Sequence, residues 1–222
     1  MSNILVVAPH ADDETLGCGA YLFKQIGMGH NVTWLLVTQP TDAQKKDFFP
    51  EGYENRLDEV HRFYGFRESI RLGMPTARLD TVPMQDLTSK IAEVIRETSA
   101  ETILIPFRND IHTDHKVTFD ATFSATKWFR NSTVKRIMAY ETLSETEFSA
   151  AQIVNGFSPN LFVNVTNELS KKVEAMRIYS SELGNFPYPR SVEAIQALAQ
   201  IRGATSGHRF AEAFQIIKEI QD

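Results

Sequence analysis

The stretch ILVVAPHADDETLGCG, residues 4–19, predicts both how this chain begins to fold and where its chemistry lies. Five apolar residues run up to a proline, and apolar runs of this length that end at a turn residue are typical of a strand buried on both faces. The almost uncharged segment after the acids predicts a buried helix. The polar residues between the two elements therefore lie in a strand-to-helix turn, where open α/β sheets bind their ligands. These residues are His10, Asp12, Asp13 and Glu14.

Four titratable groups within five residues are unsuited to ordinary packing. Neighbouring carboxylates repel each other unless a positive charge neutralises them. The simplest neutralising group is a metal ion, so the turn predicts a cation site that residues elsewhere in the chain complete.

The composition of the chain bounds its class. Its 222 residues, of which 42% are hydrophobic and 23% charged, predict one globular domain spanning residues 1–222. The formal net charge is −5, and no lysine- or arginine-rich cluster supplies the basic face that nucleic-acid binders need. We therefore expect no nucleic-acid partner.

The cysteine content and the apolar segments bear on the location of the protein. A single cysteine excludes an internal disulfide framework and is typical of a reducing compartment. No basic residues precede the first apolar run as in a secretory signal, and no stretch approaches the roughly 18 apolar residues needed to cross a bilayer. The expectation is a cytoplasmic protein without a membrane span.

Strand and helix patterns alternate along most of the chain. The first strand, the helix up to about residue 28 and an apolar strand at 32–37 predict a right-handed βαβ unit with a parallel pair. The fold class expected is α/β, a three-layer α/β/α sandwich with a Rossmann-like, mostly parallel sheet. Further strands are predicted at 69–72, 102–106, 136–140 and 161–165, helices at 53–63, 87–98, 116–128, 167–180, 191–202 and 209–220, and irregular loops at 38–52 and 145–160.

A second polar motif, FRNDIHTDH at residues 107–115, follows the predicted strand at 102–106. Catalytic zinc sites use three nitrogen or oxygen ligands and leave a fourth position open to water, whose pKa the metal lowers towards about 7. The two turns together offer several sets of two histidines and one carboxylate. His112 and His115, three residues apart, either share a helical face or lie on the two sides of a helix start.

The two motifs together resemble a known family. PHADDE at residues 9–14 with HTDH at 112–115 is similar to the paired signature of the PIG-L/LmbE deacetylases, zinc enzymes that remove N-acetyl groups from amino sugars. RLDE at 56–59 resembles the Arg-x-x-Glu helix of that family, and the likeness extends over nearly the whole chain. Ala11 stands where the family commonly has proline, a change that alters the turn but removes no ligand.

The resemblance implies a metal site and a general base. His10, Asp13 and His115 would bind the metal, which is zinc or another divalent ion such as Fe²⁺ or Co²⁺. Asp12 would take a proton from the attacking water and deliver it to the departing amine. Adjacent Asp12 and Asp13 point in different directions, which suits this division of roles.

The resemblance also implies roles for the second motif. His112, as an imidazolium, would stabilise the oxyanion of the tetrahedral intermediate, and Asp114 would orient and charge His112. The candidate substrate-binding residues are Arg56, Glu14 and His208. For Arg56 the alternative is an ion pair on its own helix, and for Glu14 it is to shape the surroundings of the ion.

The function predicted is that of a zinc-dependent hydrolase that removes the N-acetyl group from an N-acetylglucosamine-type amino sugar. Its partner would be a small-molecule N-acetylated sugar or glycoconjugate, and relatives of this size suggest a homo-oligomer, a trimer or hexamer. One alternative is hydrolysis of another small N-acyl amide. Another is a non-catalytic sugar- or nucleotide-binding module, against which the first turn lacks a glycine-rich phosphate-binding sequence.

Overall fold

Seven strands and seven helices lie in the part of the chain that the computed structural model describes, residues 1–48, 52–150 and 155–221. The strands are β1 (Asn3–Ala8), β2 (Asn31–Gln39), β3 (Glu68–Pro75), β4 (Thr102–Pro106), β5 (Arg136–Tyr140), β6 (Leu161–Asn164) and β7 (Ala211–Glu219). The helices are α1 (Asp13–Gly27), α2 (Asp42–Phe48), α3 (Tyr53–Tyr64), α4 (Met84–Thr98), α5 (Thr113–Ala125), α6 (Leu169–Ile178) and α7 (Val192–Ser206), and a 3-10 turn lies at Leu79–Thr81. None of the described helices is long and apolar enough to cross a membrane.

The strands form one sheet in the order β3-β2-β1-β4-β5-β7-β6. β1 pairs in parallel with β2 on one side and β4 on the other, and β3 and β5 continue the parallel arrangement. β7 is antiparallel to both of its neighbours. The predicted mostly parallel sheet is confirmed, and its strand order reverses between β1 and β4.

Helices cover both faces of the sheet. Alternate residues of β1 enter two separate cores: Ile4 and Val6 pack with α1, α3, α6 and α7, whereas Leu5 and Val7 pack with α4 and α5. Successive side chains of a strand point to opposite faces, so an apolar run without alternation fills both cores. The three-layer α/β/α sandwich is therefore confirmed.

Helix α1 lies unusually close to the sheet. A Cβ atom on Gly17 would lie 2.1 Å from Cδ2 of Tyr140 in β5, so only glycine allows this approach. Cys18, in the same helix, is a free and buried thiol.

The same helix is kinked at Cys18, whose φ is −145° and ψ 19°. Beyond the kink, the backbone N–H groups of Ala20 and Tyr21 donate to the carboxylate of Glu212 in β7, at 3.1 and 2.6 Å. The ammonium of Lys172 lies 2.6 Å from Glu212 Oε1. A buried ion pair therefore satisfies the backbone donors that the kink exposes.

The helix predicted at 209–220 is wrong, because this segment contains strand β7. Phe214 pairs with Tyr140 of β5 and with Leu161 of β6, and Ala211–Phe214 are all buried. Alanine and glutamate favour a helix locally, but a place between two strands overrides that preference. The sequence pattern was ambiguous because a strand buried on both faces shows no alternation.

Other boundaries also differ from the predictions. The loop predicted at 38–52 contains α2, and its residues 49–51 lie outside the described part of the chain, as do 151–154 of the loop predicted at 145–160. Helix α5 begins three residues earlier than predicted and ends at Ala125, which leaves Trp128 beyond it and 68% exposed. The earlier start matters for function, because it places the second motif at the beginning of the helix.

Candidate metal centre and active-site cavity

The two polar motifs meet at neighbouring strand ends. The first turn follows β1, the second follows β4, and these strands are adjacent and parallel. The carboxyl ends of parallel strands meet at one edge of the sheet, and the reversal of strand order leaves a crevice there. The predicted convergence of the two motifs is confirmed by the structure.

Three of the candidate ligands form a tight group. Asp13 Oδ2 lies 3.3 Å from Nδ1 of His10 and 3.3 Å from Nε2 of His115. One ligand atom from each of the three residues lies within 4.8 Å of the others. The group has the two nitrogens and one oxygen expected of a divalent-metal site with an open position.

A carboxylate orients each of the two histidines from behind. Asp114 Oδ2 lies 3.1 Å from His10 Nε2, and Asp110 Oδ2 lies 2.8 Å from His115 Nδ1. These contacts leave His10 Nδ1 and His115 Nε2 directed at Asp13. Carboxylate–histidine pairs of this kind support metal ligands. Asp110 lies inside the second motif, but its spacing alone did not assign it a role.

One atom tests whether a metal fits the site. The side chain of His115 is fully buried, and its Nε2 makes no hydrogen bond among the described residues. Its contact with Asp13 at 3.3 Å is ionic, and a buried nitrogen without a hydrogen bond is costly. A cation between His10, Asp13 and His115 would satisfy it, so the donor set fits a divalent ion.

The protonation of the group follows from its charges. Burial opposes protonation of His10, but the contacts with Asp114 and Asp13 outweigh it and raise its pKa to about 9. The pKa of His115 is likewise raised against burial by Asp13 and Asp110, while the two histidines hold the pKa of the Asp13 carboxyl below its usual range. The site is built to hold positive charge, which a bound metal would supply in place of protons.

Asp12 faces the cavity on a strained backbone. Its φ is 123°, a region that non-glycine residues rarely occupy and that clusters at functional sites. The Asp12 N–H donates to Glu14 Oε2 at 3.2 Å, and the Asp12 carbonyl accepts from Thr15 and Leu16. Burial raises the pKa of the Asp12 carboxyl, and Arg190 partly offsets this.

Arg190 is a site residue that the sequence patterns did not identify. Its Nη1 lies 2.8 Å from both Asp12 Oδ2 and Glu182 Oε2, its Nη2 lies 3.3 Å from Glu145 Oε1, and its Nε donates to Ser144 at 2.7 Å. The signal in the sequence is the aromatic segment NFPYP at residues 185–189, which Arg190 directly follows.

His112 precedes helix α5 as its N-cap, whereas His115 lies inside the helix, so the two residues lie on the two sides of the helix start. His112 Nδ1 accepts a hydrogen bond from the backbone N–H of Asp114 at 3.1 Å. The proton of the neutral ring is thereby assigned to Nε2. Burial and the neighbouring histidines lower the pKa of His112 to about 4.

The carboxylate of Asp114 does not orient His112 as expected, because it hydrogen-bonds other groups. Besides His10, the Asp114 carboxylate accepts the backbone N–H groups of Ala77 and Leu79 at 2.7 and 3.1 Å. Its backbone, and not its carboxylate, hydrogen-bonds His112. The imidazolium form expected of His112 is disfavoured in the free protein, because burial and the neighbouring histidines lower its pKa.

A cavity of about 300 Å³ opens beside the candidate metal centre. Its polar wall includes Asp12, Tyr53, His112, Glu145, Glu182 and Arg190. This volume lies at the small end of ligand sites. The cavity brings the predicted base and the predicted oxyanion partner together.

The three residues predicted to bind substrate are not among the described residues that line this cavity. Glu14 is fully buried and accepts from Thr15 and Tyr179 at 2.5 and 2.9 Å, and burial raises its pKa to about 7. Arg56 is buried and donates to Ser181 at 2.7 Å. His208 is exposed after α7, where its N–H donates to the Gly203 carbonyl.

Fold and site together define an α/β protein with a candidate divalent-metal centre that opens into a cavity at the strand-order reversal. The chain belongs to the PIG-L family: the model of that family, described as GlcNAc-PI de-N-acetylase, matches residues 5–126. The matched segment contains both motifs, so this is a chain of the de-N-acetylase class.

Relatives of known name resemble the whole chain. The diacetylchitobiose deacetylase of Thermococcus kodakarensis is 23% identical over 229 residues, which cover 99% of this chain and 85% of the relative. The conserved protein TT1542 of Thermus thermophilus is similar in structure, with a TM-score of 0.81 and 25% identity over 100% of this chain and 97% of that chain.

A third likeness limits what the fold implies. The 4-carboxy-2-hydroxymuconate hydratase of Pseudomonas putida has a TM-score of 0.75 to this chain at 15% identity, covering 100% of this chain and 98% of that one. This likeness concerns the fold alone. The architecture is thus shared by proteins named for different reactions, and function must be argued from the site.

Proposed function

We propose that this protein is a metal-dependent hydrolase that removes the N-acetyl group from an N-acetylglucosamine-type amino sugar. The observation that carries the proposal is the buried His115 Nε2 without a hydrogen-bond partner, which lies 3.3 Å from Asp13 in the group formed with His10 beside an open cavity. The family description and the name of the T. kodakarensis relative both refer to N-acetyl sugars.

His10, Asp13 and His115 would hold the metal ion. A divalent ion there, zinc or alternatively Fe²⁺ or Co²⁺, would acidify water and polarise the acyl oxygen. Asp110 and Asp114 would keep the two rings in the required tautomers, each accepting the N–H on the side away from Asp13.

Asp12 would act as the general base and then as the general acid. Its carboxylate lines the cavity next to the metal group, and burial raises its pKa. A carboxylate with a raised pKa accepts a proton from water more readily than an ordinary aspartate does, and this suits a general base. Arg190, 2.8 Å away, would hold the carboxylate in place between these two transfers.

His112 would stabilise the developing negative charge on the acyl oxygen. Its Nδ1 is occupied by the Asp114 N–H, so a neutral ring carries its proton on Nε2. Preorganised donors of this kind stabilise an oxyanion without a change of protonation state. We therefore assign to His112 the role of a neutral hydrogen-bond donor.

The proposed substrate is a small N-acetylated sugar or glycoconjugate, and an acyl group on another small amine is the alternative within the same chemistry. A trimer or hexamer and a cytoplasmic location stay predictions. Only a substrate panel separates the sugar from other amides, since the reacting groups would be identical.

The experiment that tests the proposal combines metal analysis with the detection of released amines. The purified protein is stripped with a chelator, reloaded with Zn²⁺, Fe²⁺ or Co²⁺, and incubated with a panel of N-acetylated sugars and N-acetyl amino acids. We expect about one ion per chain and amine release from sugars only in reloaded protein. Absence of metal-dependent amine release from every sugar would contradict the proposal, and release from the amino acids alone would favour the alternative.

A further inference from the structure

The cavity beside the metal centre has an unusual balance of charges. Among the described residues that line it, Arg190 is the one side chain with a permanent positive charge, whereas Asp12, Glu145 and Glu182 are carboxylates. Arg190 contacts all three, and its fourth contact is with Ser144. Every nitrogen of the guanidinium group is therefore engaged within the protein.

An incoming phosphate or carboxylate would find no free guanidinium there. To pair with Arg190 it would have to displace a carboxylate that is already desolvated, and it would remain next to the other two. Lys45, whose ammonium lies 5.4 Å from the ring of the cavity-lining Tyr53, is itself paired with Glu54 at 3.3 Å. Like charges in a desolvated cleft repel strongly.

The carboxylates outnumber the positive charges even when a metal ion is counted. Six carboxylates line the cavity or contact the candidate ligands, and a divalent ion with Arg190 supplies three positive charges against them. The six are Asp12, Asp13, Asp110, Asp114, Glu145 and Glu182. Burial raises the pKa of the Glu145 carboxyl, so a cation bound beside it would favour its ionised form, whereas an anion would oppose it.

We propose that this cavity selects amino sugars that carry a free, positively charged amine next to the N-acetylated unit, and that it excludes phosphate- and carboxylate-bearing sugars. Glu182 and Glu145 would receive the ammonium group. Glu182 is the more accessible of the two, with 21% of its side chain exposed against 10% for Glu145. The reaction itself rests on the proposed deacetylase function, but the charge selection is measurable by binding alone.

Three disaccharides of equal size test the selection. Each contains N-acetylglucosamine linked to a second sugar, which is glucosamine, glucose or glucuronic acid. The second sugar is thus positively charged, neutral or negatively charged at similar size. At low ionic strength and a pH at which the amine is protonated, we expect kcat/KM to fall in that order. The difference between the first and the last should be about tenfold or more. Added salt should reduce this difference, because salt screens partly exposed charges.

A variant assigns the effect to the cavity. Glu182→Gln keeps the size of the side chain and removes one charge, so it should narrow the difference between the glucosamine and glucuronic acid disaccharides several-fold. The matched control is Glu174→Gln, which removes a charge from an exposed position on α6 and should leave the difference unchanged. An equal effect of the two substitutions would attribute the selection to net charge and overturn the assignment.

The outcomes separate this inference from the proposed function. Equal rates for the three disaccharides, or a preference for glucuronic acid, overturn the charge selection while leaving the deacetylase intact. If none of them releases an amine, the proposed function on sugars is contradicted, and the same compounds are titrated calorimetrically into metal-loaded protein. Tighter binding of the glucosamine disaccharide then supports the selection. Equal binding, tighter binding of the acid, or no binding of any of them overturns it.

Discussion

The carboxylate of Asp114 hydrogen-bonds His10, with 3.1 Å between Oδ2 and Nε2. The same carboxylate is held by two backbone N–H groups, those of Ala77 and Leu79, so its position is fixed independently of the histidine. The family resemblance implies that this aspartate serves His112, the histidine two residues before it. The contacts instead make Asp114 the support of a candidate metal ligand from the other motif.

Substituting Asp114 by asparagine should therefore weaken metal binding more than it slows the reaction. We expect the metal dissociation constant of Asp114→Asn to rise about 10–100-fold. The reason is that His10 loses the negatively charged acceptor that orients its ring through Nε2. At saturating metal, turnover should stay close to that of the wild type. Metal affinity is measured by competition with a chelator, and thermal melting checks that the backbone contacts survive.

The matched variant is His112→Asn, which should lower turnover and leave metal affinity unchanged. If Asp114→Asn lowers turnover at saturating metal as much as His112→Asn does, then Asp114 orients His112 and not His10. The two variants thus distinguish between the two partners.

The adjacent acids of the first turn should respond differently to the same substitution. Asp12→Asn should retain the metal and lose activity by about 10²–10⁴-fold, the range for removal of a general base. Asparagine has the same shape as the aspartate that already adopts this positive φ, so the turn should survive. Asp13→Asn should instead lose the metal, because Asp13 is the carboxylate between the two histidines.

Metal content by mass spectrometry and amine release measured on the same samples check both expectations. An Asp12→Asn protein with activity within about tenfold of the wild type would contradict the assignment of Asp12 as the base. Loss of the metal from that variant would move Asp12 into the metal site.

Glu14 should make the metal-free protein less stable as the pH rises. Burial raises its pKa to about 7 in the folded chain from the ordinary 4.5, so the folded state holds this proton more tightly than the unfolded state does. The free energy of unfolding should therefore fall between about pH 4.5 and about pH 7 by about 3 kcal/mol from this group. The raised pKa of His10 acts in the same direction, up to about pH 9.

Comparison with Glu14→Gln isolates the contribution of Glu14, because glutamine does not titrate. Urea unfolding of both metal-free proteins across this pH range gives the difference in stability. As the pH rises, the free energy of unfolding of the wild type should fall by about 3 kcal/mol more than that of Glu14→Gln. A difference that stays constant with pH would show that Glu14 keeps an ordinary pKa in the folded chain.

The sequence was sufficient for the parts of the site that are local in the chain. The turn after β1 and the turn after β4 are each encoded by an apolar run followed directly by polar residues. Parallel pairing of these two strands then brings His10 and His115 together. This convergence needs only the fold class, which the alternation of strands and helices predicts.

The parts that depend on contacts distant in the chain were not predictable. Arg190 reaches Asp12 across 178 positions, and no local pattern indicates that contact. The same holds for β7, which becomes a strand because β5 and β6 leave a place between them. Local propensity describes how a segment behaves alone, and these two features depend on what surrounds them.

The contact between helix α1 and β5 provides a final test of the packing beneath the site. A methyl group on Gly17 would lie 2.1 Å from the ring of Tyr140, which is fully buried and donates from its hydroxyl to the Val7 carbonyl at 2.9 Å. Since the ring cannot move without losing that bond, Gly17→Ala should destabilise the protein by about 1–3 kcal/mol. The matched control, Gly27→Ala, lies in the same helix, where an added methyl group would meet nothing within 4 Å, and it should be neutral or stabilising by up to about 1 kcal/mol. Urea unfolding measures both, and equal effects would mean that the helix shifts away from the sheet without cost.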